Sequence, residues 1–273
     1  MPELPEVEAV RLELDPYFTR QRIEDVDVRR PDLRDPFPRR FRARLAGQTV
    51  EGFLRRAKYL LATLTSGETL AMHLGMSGSF HVSAPDEPVR DADKHDHVIF
   101  HMSSGAHIAF NDPRRFGMMT LLTPRQLAAH PVLSTLGPEP LSDAFDAPAL
   151  ARACRGRKTP LKVALLDQGI VAGLGNIYAA EALHLAGLSP MRAAGTIVTA
   201  TGEPRESAHR LAAAIKDVLT RAIARQADAR YRSARFQVYD RERERCLRPG
   251  CGGTIRRRTQ SGRSTFYCPR CQK

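Results

Sequence analysis

The spacing of apolar and polar positions divides the chain into regions of different period. Residues 23–122 read as strands: Ile23-Glu-Asp-Val-Asp-Val28 alternates, 49–64 and 69–82 are rich in branched apolar residues, and 97–110 reads as a hairpin turning at Ser103-Ser-Gly105. Residues 118–122 continue the set. Ahead of them Pro5 opens a helix, since proline suits the first helical turn and the acidic Glu3 and Glu6 suit its positive end. Val7, Val10 and Leu14 then face a core. Several short strands capped by a helix predict a sandwich or barrel. Residues 31–40 form a Pro- and Arg-rich loop and 85–94 a charged one. After Thr123 the period becomes helical, over 126–136, 147–155, 160–167, 176–186 and 206–225. The sequence Leu136-Gly-Pro-Glu-Pro140 breaks the chain, so a domain boundary is expected near 125–140.

The C-terminal stretch has a pattern of its own. Cys246-x4-Cys251 is followed, after sixteen residues, by Cys268-x2-Cys271. Four thiolates in two close pairs suit a tetrahedral structural zinc ion. The residues between the pairs read as a β-hairpin turning at Ser261-Gly262 and carrying Arg256, Arg257, Arg258 and Arg263. A purely structural knob, or two disulfides, is the alternative. Cys154, the odd cysteine, reads as a buried or inert thiol.

Composition narrows the partner. The chain has 273 residues, 42% of them hydrophobic, and a formal net charge of +12. Charge of that size says nothing about fold but favours a polyanion, nucleic acid or an anionic membrane surface. The sequence shows neither a long apolar run nor a leader pattern, so the chain reads as cytosolic, where structural disulfides are uncommon. Lysine is scarce beside arginine, which makes Lys58 notable: arginine holds phosphate but does not give up a proton near neutral pH.

The first eight residues, Met1-Pro-Glu-Leu-Pro-Glu-Val-Glu8, carry the clearest chemistry. Removal of Met1 would expose the secondary α-amine of Pro2 beside Glu3 and Glu6. An α-amine titrates near ~8 against ~10.4 for lysine, so roughly a quarter of it is unprotonated at about pH 7.5. Such an amine can attack a sugar or carbonyl carbon and leave a charged iminium, a good electron sink. Two further stretches, Met72-His-Leu-Gly-Met-Ser-Gly78 and Asn111-Asp-Pro-Arg-Arg-Phe-Gly117, set apolar and cationic residues on glycine-flanked turns. Met76 and Phe116 read either as core or as a wedge filling the gap left by an extruded base, with the arginines on phosphate. Gly173-Leu-Gly-Asn176 makes a glycine-rich turn between two helices, where Asn176 can cap the second and exposed N–H groups can take an anion.

Together these stretches resemble the bacterial formamidopyrimidine-DNA glycosylase family, also known as 8-oxoguanine DNA glycosylase/AP lyase. The resemblance rests on the N-terminal octet, Arg56-Ala-Lys-Tyr59, His73-Leu-Gly-Met-Ser-Gly78, Lys94-His-Asp-His97 and Asp112-Pro-Arg-Arg-Phe-Gly117. It continues through Leu136-Gly-Pro-Glu-Pro140, Leu165-Leu-Asp-Gln168, Gly173-Leu-Gly-Asn-Ile-Tyr178 and the cysteine module, end to end and in order. It implies an α+β fold: an N-terminal catalytic β-sandwich capped by helices (1–130), a helix–two-turn–helix DNA-binding domain (131–235) and a C-terminal β-hairpin zinc finger (236–273), with DNA in the cleft between.

Carried over position by position, Pro2 is the nucleophile at C1′, Glu3 the proton donor, Lys58 acts in β-elimination and Arg263 in δ-elimination. Glu6 helps shape the site. His95, Arg114, Lys158 and Asn176 contact DNA; Met76, Arg114 and Phe116 fill the duplex void; and Cys246, Cys251, Cys268 and Cys271 hold one structural zinc ion. The implied substrate is double-stranded DNA with oxidised bases or abasic sites, handled by a cytoplasmic, nucleoid-associated monomer without a membrane. One departure stands out. The stretch 225–235 is about ten residues shorter than is usual in the family and has no glycine, a residue that supplies mobile loops. The expectation is that abasic-site cleavage is kept, with 8-oxoguanine excision weakened or shifted toward ring-opened or further-oxidised bases. Two other readings share much of the pattern: an endonuclease VIII-like enzyme for oxidised pyrimidines, and a non-catalytic binder of damaged DNA.

Overall fold

The computed structural model describes residues 1–88, 90–91, 93–227 and 236–273, which form two compact units, Met1–Ser134 and Thr135–Lys273. The first unit opens with α1 (Leu4–Phe18), followed by β1 (Ile23–Val28), the short α2 (Phe41–Leu45), and β2 (Val50–Arg56), β3 (Tyr59–Leu64), β4 (Thr69–His73) and β5 (Ser79–Ser83). It closes with β6 (Asp96–Met102), β7 (His107–Asn111) and β8 (Met118–Leu122). The strands form two antiparallel four-stranded sheets, ordered β1-β6-β7-β5 and β2-β3-β4-β8. Their facing side chains make a single core, to which α1 contributes Val7, Leu14 and Phe18. Phe18 links all three layers: its ring stacks on Phe53 of β2 at 5.1 Å and meets Phe100 of β6 edge-on at 5.5 Å. Truncating so buried an aromatic costs about 3–5 kcal/mol, so α1 is held to the sandwich at its C-terminal end.

The second unit holds α4 (Ala147–Cys154), α5 (Leu161–Leu165), α6 (Asn176–Ala186) and α7 (Glu206–Ala227), then the hairpin β9 (Arg256–Gln260) and β10 (Arg263–Tyr267). Ser261 and Gly262 both have positive φ, 47° and 72°, the geometry that lets a two-residue turn follow the twist of its strands. Cys154 is fully buried, and burial pushes its thiol up to about 11, which makes it inert.

The expected helix over 126–136 is not continuous. The first piece, α3 (Pro124–Ala128), starts on a capping box between Thr123 and Gln126, and a separate 3-10 turn covers Leu133–Thr135. Pro131 accounts for the break: it lacks an N–H and disfavours the helical conformation at the residue before it. The His130 ring then accepts the N–H groups of Val132 and Leu133 at 3.2 and 3.1 Å and restarts the chain. Residues 228–235, most of the stretch expected to be short, lie outside the described residues. Among the described residues no helix is long and apolar enough to cross a membrane.

Candidate active site and zinc centre

In the first unit the N-terminus is set by helix capping. Glu3 is the N-cap of α1, extended in backbone and almost fully buried, and its N–H donates to Glu6 Oε2 at 2.9 Å. Pro2 therefore immediately precedes the positive end of α1, where the helix dipole favours negative charge. One turn further along α1, Glu8 accepts from Arg55 Nε at 2.7 Å and from Arg11 Nε at 2.8 Å. Arg55 also donates to the Ala57 carbonyl at 3.1 Å, so the tight turn between β2 and β3 is tied to α1. That turn carries Lys58, buried, after Ala57 in a left-handed conformation (φ 53°).

His73 extends this neighbourhood. It pairs across the strands with Tyr59, their rings 4.8 Å apart, and Lys58 and Arg34 act on it electrostatically. Burial first, then those two cations, pull its pKa down to about 4, so the imidazole is neutral at physiological pH. Its Nδ1 accepts the Gly75 N–H at 3.0 Å, which leaves the proton on Nε2. Sequence reasoning quoted His73 inside a motif without giving it a role; its place directly across from Tyr59 and beside Lys58 emerges only from strand register.

The two glycine-flanked turns are locked together. Asp112, fully buried, accepts from Ser77 Oγ at 2.6 Å and from the Gly117 N–H at 2.7 Å, and its carbonyl lies 2.9 Å from His97 Nε2. Gly75 (φ +62°) lies against the Phe116 backbone so closely that a Cβ would overlap it. The braces leave three side chains outside: Met76 and Phe116 are 46% and 44% exposed, and the Arg114 guanidinium sits 4.6 Å over the Phe116 ring. His95 joins the same loops, its carbonyl accepting the Asp112 N–H at 3.0 Å.

In the second unit, Gln168 shapes the turn between α5 and α6. Its amide donates to the carbonyls of Leu166 and Leu174, and its Oε1 accepts from Gly173 N–H at 2.9 Å. Asn176 does not cap α6 as the sequence suggests. Gly175 holds the cap position, and the Asn176 side chain instead accepts from Lys162 Nζ at 2.6 Å and donates to the Ser264 carbonyl at 3.0 Å. Lys162, fully buried, also reaches Thr265 Oγ1 at 2.8 Å, so α5, α6 and the hairpin share one polar joint. Sequence reasoning passed over Lys162. Arg263 is exposed at the start of β10, and Lys158 is exposed between α4 and α5.

The four C-terminal cysteines converge and none is in a disulfide. Cys246 and Cys271 sulfurs are 3.8 Å apart and those of Cys251 and Cys268 3.6 Å, with all four within 4.8 Å. A tetrahedral ion with Zn–S bonds of about 2.3 Å requires sulfurs about 3.8 Å apart, so the donor set fits one structural zinc. Gly253 lets the chain pass this cluster: a Cβ there would lie 2.7 Å from Cys268 Sγ.

Family models match nearly the whole chain: the formamidopyrimidine-DNA glycosylase N-terminal domain over residues 1–119, the formamidopyrimidine-DNA glycosylase H2TH domain over 136–233, and the zinc finger found in FPG and IleRS over 243–273. The formamidopyrimidine-DNA glycosylase of Bradyrhizobium diazoefficiens is 54% identical, with all of both chains covered. Among solved structures, Lactococcus lactis Fpg in complex with abasic-site DNA is similar with a TM-score of 0.85, 31% identity and 99% coverage of each chain. MutM in complex with carbocyclic 8-oxo-G DNA gives 0.82 and 32%, covering both chains completely. With its sandwich, H2TH helices and four-cysteine finger all matched in order, this chain belongs to the formamidopyrimidine-DNA glycosylase family.

Proposed function

We propose that the chain is a base-excision repair enzyme that removes oxidised purines from double-stranded DNA and cleaves the resulting abasic site, with the α-amine of Pro2 as nucleophile. One observation carries the assignment of Pro2: it directly precedes the capped end of α1, the same helix to which Glu8 and Arg55 tie the turn bearing Lys58. The substrate class follows from the relatives, one named for formamidopyrimidine and others bound to abasic-site and 8-oxo-G DNA.

Once Met1 is removed, the Pro2 nitrogen attacks C1′ of the extruded nucleotide. The bond from C1′ to the base breaks, and the base leaves with the electron pair while Glu3 supplies a proton at sugar or base. The sugar ring opens to an iminium whose positive charge acidifies the C2′ proton. Loss of that proton expels the 3′ phosphate, with Lys58 acting at this step. A second elimination, with Arg263 beside the 5′ phosphate, leaves a one-nucleotide gap with phosphate ends. His73, neutral and carrying its proton on Nε2, joins His95, Arg114, Lys158 and Asn176 among the residues that contact DNA. Extruding a base costs a few kcal/mol, offset in part by Met76, Arg114 and Phe116 filling the gap. Zinc takes no part in these steps; when bound it stabilises the finger carrying Arg263.

Lesion preference shifts toward ring-opened or further-oxidised purines and away from 8-oxoguanine. The short stretch over 225–235 motivates this.

Borohydride trapping tests the chemistry on duplexes carrying an abasic site, 8-oxoguanine opposite C, or formamidopyrimidine. A trapped adduct with abasic and formamidopyrimidine duplexes, absent in Pro2→Gly, is expected. Equal excision of 8-oxoguanine and formamidopyrimidine would refute the lesion shift, and no adduct on any duplex would refute the amine mechanism.

A further inference from the structure

A zinc ion held by four thiolates carries a net charge of about −2, here within a largely buried cluster. Buried charge of that kind persists only where hydrogen-bond donors are aimed at it. The finger supplies some itself: the backbone N–H groups of Arg248 and Gly253 bond the sulfurs of Cys246 and Cys251. One donor comes from outside the finger. His184, buried in the last turn of α6, sets its Nε2 at 3.3 Å from Cys246 Sγ. The backbone at this point is secured independently of the imidazole. Arg248 Nη2 donates to the carbonyls of His184 and Leu185, and Gly187 ends the helix with its carbonyl accepting the Lys273 N–H at 3.1 Å.

We infer that His184 donates its Nε2–H to the zinc-bound Cys246 thiolate and shields that sulfur from electrophiles. A thiolate only accepts, which determines the tautomer. The bond draws electron density from sulfur, so it slows attack on Cys246, and it favours the thiolate over the thiol, so a proton competes less well with the metal for that sulfur. Outer partners of this type change metal affinity by about 10–100-fold. An enzyme that acts on oxidised DNA works among oxidants, where an unguarded zinc thiolate is a weak point. The bond also makes α6 a bridge: its first residue, Asn176, bonds the hairpin at Ser264 beside Arg263, and its last turn holds the zinc ligand.

The test compares wild type with His184→Phe, which removes the donor, and His184→Gln, whose amide N–H reaches a similar point. Zinc content is measured first, because the inference rests on one bound ion per chain; protein without zinc would overturn the zinc reading and the inference together. N-ethylmaleimide is then added, released zinc is followed with 4-(2-pyridylazo)resorcinol, and modified cysteines are mapped by mass spectrometry. Each alkylation joins a cysteine sulfur to a maleimide carbon, water protonates the neighbouring carbon, and the Zn–S bond breaks. Wild type is expected to react first at Cys271, which alone of the four is not buried. In His184→Phe zinc release is expected to quicken about tenfold, with Cys246 entering the first-modified set, while His184→Gln keeps the wild-type order. Unchanged labelling of Cys246 in His184→Phe would overturn the inference. So would a glutamine variant that behaves like phenylalanine, since the imidazole would then act by packing alone.

Discussion

Gly75→Ala is the sharpest probe of how the residues proposed to fill the base void are held. Gly75 has φ +62°, and a Cβ there would overlap the Phe116 carbonyl and lie 2.6 Å from the Gly117 nitrogen. Carbon atoms rest about 3.5–4.0 Å apart, and backbone cannot rotate aside as a side chain can, so the two turns must separate by roughly 1 Å. The left-handed conformation costs alanine about 1–2 kcal/mol and the overpacking about 1–3 more, a total of about 2–5 kcal/mol. At roughly 2–4 °C per kcal/mol, the first unit should melt on the order of 10 °C lower. The same shift displaces Met76 and Phe116, and a misplacement of about 1 Å can cost a hundredfold in rate. Excision from a lesion duplex should therefore fall by about two orders of magnitude. Cleavage of a preformed abasic site should fall less, because there is no base to unpair. Gly67→Ala is the control: its φ is +80° but a Cβ there meets nothing within 4 Å, so it carries only the conformational penalty. Single-turnover excision and calorimetry on both variants decide the matter. A Gly75→Ala protein that melts and excises like Gly67→Ala would show that the contact between the turns is not what holds Met76 and Phe116 in place.

Other expectations follow from the same geometry. Phe116→Ala should change the melting temperature little, since the residue is nearly half exposed and outside the core, yet reduce lesion excision strongly; a variant with full excision would remove Phe116 from the void-filling set. Glu181→Leu strips the acceptor from the N–H groups of Gln237, Val238 and Tyr239, bonded at 2.8, 2.9 and 2.9 Å. Stranded donors cost about 1–3 kcal/mol each, so a urea midpoint for the second unit equal to wild type would contradict this role. His73 titrates at about 4 in the fold against an ordinary 6.5. Between those values the unfolded chain holds a proton that the folded one does not, so stability is lost as pH falls through the window. His73→Asn should show a shallower decline there, and melting curves that stay parallel to wild type would show that His73 is not its source.

Much of the molecule was legible from local pattern. Period-two alternation placed β1, proline and acid placed the start of α1, and the spacing of four cysteines with Ser261-Gly262 between them described the finger and its turn. These features depend on interactions within a few residues, or on a chemistry that only one donor set satisfies. The break at Pro131 is local too, but the apolar spacing runs through it and masks it. Tertiary structure alone decided the partners of buried polar groups. Asp112 reaches back to Ser77, Lys162 joins Asn176 to Thr265, and Glu181 gathers three amides more than fifty residues away. The neutral state of His73 belongs here as well, because it arises from burial and from cations brought near by strand register. Removal from water makes each such group require a partner, and which partner it finds depends on how distant segments pack, which no short stretch of sequence contains.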